Sequence, residues 1–145
     1  MTRFRSLLFA LALLLAPWAA DALEGCIVHV PPVIELPPVD AHQLAPASYP
    51  YIEVECEAGL QYQLELASAL SGGRVDARSH HPEPIPVYFV QAHTRMPWGR
   101  FDQGEAIGGA GTGGGTSHPV EVAAELTYLP APGRYTAPLE INLVF

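Results

Sequence analysis

The segment YIEVECEAGLQYQLEL, residues 51–66, decides the fold. Ile52, Val54 and Cys56 alternate with Glu53 and Glu55, and Leu60, Tyr62, Leu64 and Leu66 alternate with Gln61, Gln63 and Glu65. A period of two gathers the apolar side chains on one face of an extended strand and the polar ones on the other. Each half is therefore a strand of a sheet with one side on a core and the other in water.

Outward from this segment the pattern recurs. Leu139, Ile141, Leu143 and Phe145 alternate with Glu140, Asn142 and Val144 at the end of the chain. Shorter candidate strands are Cys26 to Val30, Val33 to Val39 across two prolines, Val87 to Gln91, and Val120 to Leu129. Gly72-Gly73, Met96-Pro97-Trp98-Gly99 and Pro130-Ala131-Pro132-Gly133 supply turn chemistry between them. Prolines leave only residues 51 to 81 as a long stretch without Pro or Gly dominance. An interior Pro costs a helix about 3 kcal/mol, so long helices are excluded. About seven short strands without a helix read as an all-β, antiparallel β-sandwich. The last strand is apolar to its final residue, an edge that secreted proteins normally blunt or cover.

Residues 1–22 have the three parts of a secretory signal peptide. Arg3 and Arg5 precede the apolar run Leu7 to Leu15, Pro17 breaks it, and Ala20-Asp21-Ala22 offers a small-x-small cleavage site. The run is too short to cross about 30 Å of hydrocarbon. The mature chain is expected to be a single domain of residues 23–145, exported to the periplasm with no membrane span. Export permits a disulfide between Cys26 and Cys56, worth roughly 3.5–4 kcal/mol by loop closure. Leu23-Glu24-Gly25-Cys26 offers an alternative, acylation of Cys26 as in a lipoprotein.

All seven basic residues are Arg, against fifteen Asp and Glu, for a net charge of −8. That balance argues against nucleic acid and anionic membrane as partners. Gly109-x-Gly111-x-x-Gly114 matches a dinucleotide fingerprint in letters, but no helix can start at Ser117-His118-Pro119 as that motif requires. Six His invite a metal, yet His80 and His81 in a strand would point to opposite faces, and His29, His42, His93 and His118 are scattered. There is no Gly-x-Ser-x-Gly and no His-Glu-x-x-His; Glu53, Glu55, Glu65 and Glu140 read as solvated charges on polar strand faces. No catalytic residue, metal site or cofactor is therefore expected. Trp98 and Tyr88 suit either a core or an exposed surface.

Taken in order, Cys26, Ile52-x-Val54-x-Cys56, Tyr62-x-Leu64-x-Leu66, Val87-Tyr88-Phe89, Pro97-Trp98-Gly99, a Gly-rich stretch and Pro132-Gly133-Arg134-Tyr135-Thr136 form a familiar series. It resembles the spore coat protein U domain, the secreted family of pilins and adhesins of archaic chaperone–usher pili. The likeness covers nearly all of residues 25 to 145. It implies an immunoglobulin-like sandwich that lacks one strand, completed first by a periplasmic chaperone and then by a neighbouring pilin subunit, with an outer-membrane usher assembling the fibre. The donor-strand groove is then expected to include Leu139, Ile141, Leu143 and Phe145, backed by Tyr62, Leu64 and Leu66. Only Leu23-Glu24-Gly25 precede Cys26 in the expected mature chain, too few to fill a groove in turn. The expected role is a structural or adhesive subunit of a surface fibre that accepts a strand without donating one. The alternative is a self-contained secreted or periplasmic β-sandwich binding module.

Overall fold

The computed structural model describes residues 25–42 and 45–145; the signal peptide expected over residues 1–22 lies outside the described residues. Eleven strands occur among the described residues: β1 (Cys26–His29), β2 (Val33–Glu35), β3 (Ala47–Ser48), β4 (Tyr51–Cys56), β5 (Gln61–Leu66), β6 (Arg74–Ala77), β7 (Ile85–Gln91), β8 (Ile107–Ala110), β9 (Gly115–Ala124), β10 (Thr136–Pro138) and β11 (Ile141–Val144). The only helical turns among these residues are two 3₁₀ turns, Ser71–Gly73 and Phe101–Gln103. None is long and apolar enough to cross a membrane.

The strands form an antiparallel β-sandwich. One sheet has the order β1-β4-β9-β7-β6, with β3 also on β9, and the other has the order β11-β5-β8. A third ladder, β10-β2, continues the larger sheet past β6, where Arg78 and Thr136 exchange main-chain bonds of 2.9 and 2.8 Å. The two halves of the 51–66 segment fall on opposite sheets. Their inward residues Ile52, Val54, Tyr62, Leu64 and Leu66 are buried, and Glu53, Glu55, Gln61 and Gln63 are exposed, as the alternation predicts.

Val87 and Phe89 of β7, Val120 and Val122 of β9, Val75 of β6 and Ile107 of β8 pack with them in the core. Trp98 belongs to it. Its indole lies edge-on to Phe89 with centroids 6.0 Å apart, and Nε1 donates to the Leu64 carbonyl at 2.9 Å. A buried indole N–H needs that partner, and the bond fixes the Pro97-Trp98-Gly99 turn against β5. Tyr88 stays on the outer face, half-buried.

The structure adds β3, β6, β8 and β10 to the seven predicted strands. Arg74–Ala77 alternates for only four residues, too short for a periodicity test. The Gly-rich stretch is itself strand at both ends, β8 and the start of β9. Gly111 sits between them, where a Cβ would collide with the Glu57 carbonyl oxygen, so close backbone approach explains that glycine. Predicted starts at Val87 and Val120 move back to Ile85 and Gly115, leaving Pro86 and Pro119 inside strands. Pro119 uses its carbonyl, accepting from Ala92 N–H at 3.1 Å, and lies opposite Tyr51, the first residue of β4. The Val120 strand stops at Ala124, five residues short of Leu129.

Candidate functional site

The disulfide Cys26–Cys56 staples β1 to β4, joining directly opposed residues whose Cα atoms are 4.1 Å apart. With both cysteines bonded, Cys26 carries no free thiol for an acyl chain. The bridge anchors β1, the outermost strand of the larger sheet. The outermost strand of the smaller sheet on the same side is β11, and between the two runs a seam.

Three observations describe this seam. The first is burial. Inward residues of the central strands, such as Val54, Leu64, Phe89 and Val122, are fully covered, whereas Val28 and Val30 beside β4 and Ile141 and Leu143 beside β5 are only half-buried, although they pack on the same core.

The second is main-chain geometry. Ala67 N–H donates to the Glu140 carbonyl at 2.7 Å, so the even-numbered residues from 140 onward bond toward β5. By antiparallel alternation the N–H and C=O groups of Ile141 and Leu143 then point away from β5, toward the seam. Leu139, in the same phase, does so visibly, donating to the Pro32 carbonyl at 3.1 Å. The same alternation applies to β1. Val120 N–H donates to the Pro50 carbonyl, so even-numbered residues of β4 bond to β9, and Val28 opposite Val54 turns its own main chain outward.

The third is how the ends meet. At one end stands the Leu139–Pro32 bond. At the other, the Phe145 ring reaches across so that a Cβ on Gly25 would lie 3.8 Å from its Cζ. A small cleft there is lined by Gly25, Glu57, Leu60 and Phe145.

The seven residues expected to form a groove thus divide by environment. Tyr62, Leu64 and Leu66 are sealed in the core, Leu139 is nearly so at 7% exposed, Ile141 and Leu143 line the seam, and Phe145 is 70% exposed beyond the end of β11. Register pairs Leu143 with Leu64 and Ile141 with Leu66, so the seam residues rest on the buried ones. Val28 and Val30, the opposite wall, went unpredicted; the short apolar run at Cys26 to Val30 was their signal, but nothing local assigns it to an edge facing β11.

On the far side of β5 one polar contact joins the sheets. Tyr62 Oη and His118 Nε2 lie 2.7 Å apart, the hydroxyl donating to the neutral ring, with the rings edge-on at 5.8 Å. The ring passes over Gly109, where a Cβ would meet its hydroxyl at 2.5 Å. Burial holds the His118 imidazole below its ordinary value of 6.5, favouring the neutral acceptor. Burial pushes the Tyr62 hydroxyl up, and the Thr116 side chain opposes that shift. His80 and His81, expected to diverge in a strand, sit in a bend and stack with centroids 3.9 Å apart. No group of three or more His, Cys, Asp or Glu able to hold a metal occurs among the described residues. Gly109 to Gly114, the fingerprint in letters, runs from β8 through a turn into β9. No family model, no curated protein and no solved structure matches this chain.

Proposed function

We propose that this chain is an immunoglobulin-like sandwich one strand short, whose seam accepts a β-strand from another chain. It would serve as a structural or adhesive subunit of a secreted surface fibre, held by a periplasmic chaperone and passed by an outer-membrane usher to a neighbouring pilin subunit. The supporting observation is the pairing of half-buried side chains with unpaired main chain at Ile141 and Leu143, faced by Val28 and Val30. An added strand would supply main-chain bonds to β11 and apolar side chains to the seam, which is recognition by β-strand addition. Four or five donor side chains would contribute on the order of 6–15 kcal/mol before the cost of ordering. The export signal expected in residues 1–22 and the disulfide fit a periplasmic route to the cell surface.

Production of the mature chain alone is the test. Aggregation relieved by a co-expressed periplasmic chaperone, or by a peptide of alternating apolar residues, supports the proposal. A stable monomer whose melting is unmoved by either contradicts it and favours the self-contained binding module, for which the Leu139–Pro32 bond and the Phe145 contact would be permanent closures.

A further inference from the structure

The outer face of the β11-β5-β8 sheet carries an open trough of about 520 Å³. Register lays its floor: Val144, Gln63 and Gly108 form one row across the three strands, and Gln61 and Ala110 the next. Two exposed aromatic rings border it, Phe101 at 46% and Phe145 at 70% exposure.

The chemistry of this lining is selective. No charged side chain lines the trough, although the chain as a whole carries a net charge of −8. An anionic ligand would meet repulsion from the whole molecule, and a cation would find no counter-charge in the trough. Gln61 and Gln63 are exposed on the floor, each offering two N–H donors and a carbonyl acceptor. A purely aliphatic ligand would desolvate both amides without bonding them. Phe101 and Phe145 present apolar ring faces at low entropic cost, and Gly108 and Ala110 leave space beside them. Neutral, flat, apolar on its faces and rich in hydroxyls at its rim: a pyranose ring meets each of these requirements.

We infer that this trough binds a neutral saccharide, its sugar ring against Phe101 or Phe145 and its hydroxyls on the Gln61 and Gln63 amides. The trough lies on the outer face of the sheet and shares Phe145 with the end of the seam, whereas Gln61, Gln63, Gly108 and Phe101 belong to the trough alone, so the inference does not require strand acceptance.

The test is a nitrogen-15 amide titration of the chain with neutral tetrasaccharides of glucose, galactose and mannose. It is run on the chain free and again saturated with the alternating apolar peptide, so that either reading can fail alone. At least one sugar is expected to move the side-chain amides of Gln61 and Gln63 and the backbone amides of Gly108 and Ala110. Phe101→Ala should weaken that binding about tenfold or more, the loss of one aromatic anchor. Gly108→Val should abolish it by filling the floor. A Cβ at Gly108 meets nothing within 4 Å and valine suits a strand, so this variant keeps the fold, as an unchanged melt would verify. The inference is overturned if no sugar in the panel moves these signals, if the shifts survive Gly108→Val, or if a neutral peptide or an alkyl chain moves them in place of the sugars.

Discussion

The middle of the sandwich and its seam are built from the same residue types yet end in different states. Leu64, Val54 and Val122 are flanked by strands on both sides and lose all contact with water. Leu143, Ile141 and Val28 have the same alternation and sit one strand further out, where covering is incomplete. The difference lies in neighbours alone. Hydrophobic side chains and unpaired main-chain groups share the seam, and each is costly to leave open, so the seam is the part of this molecule with most to gain from a partner.

Breaking the middle should cost most. Trp98→Ala removes a fully buried indole and its bond to Leu64, and should lower unfolding free energy by about 3–5 kcal/mol in urea. Next comes the staple holding β1 as the wall of the seam: replacing Cys26 and Cys56 together with Ala should cost roughly 3.5–4 kcal/mol, read by the same melt. Leu143→Ala, at the seam, should cost the isolated chain only about 1–2 kcal/mol, because that side chain is already partly exposed. A loss as large as that of Trp98→Ala would erase the contrast between the two regions.

The smallest effect concerns the polar link on the other side of β5. His118 has its folded pKa below the ordinary 6.5, so below that value the unfolded chain takes up a proton that the folded chain resists. Its contribution to stability is complete above about pH 6.5 and declines as pH falls from there toward the folded pKa. Urea melts between pH 8 and 5 should show a fall that His118→Gln reduces. A wild-type profile identical to that of the variant would remove His118 from the account.

How much of this was legible beforehand follows from the range of each interaction. The 51–66 alternation, the absence of long helices and the sandwich are local or compositional properties, and Ile52, Tyr62 and Leu64 face inward as their spacing dictates. The disulfide required only two cysteines and the expectation of export. The β6 and β8 strands escaped because four residues, two of them Gly in β8, carry almost no periodic signal. The seam shows the same limit: Ile141 and Leu143 resemble Leu64 and Leu66 in sequence, and only the position of β11 at the edge of its sheet sets them apart. Phe145 continues the alternation but passes the end of β11, so its ring lies at the mouth of the seam and not in the core.

Hydrogen exchange at the Ile141 and Leu143 amides tests the central claim most directly. An open seam leaves both N–H groups exchanging fast in the isolated chain while Leu64 and Val122 stay protected, and an alternating apolar peptide slows them sharply. Amides already protected in the isolated monomer, and indifferent to any added strand, would show that the seam is closed and contradict the account.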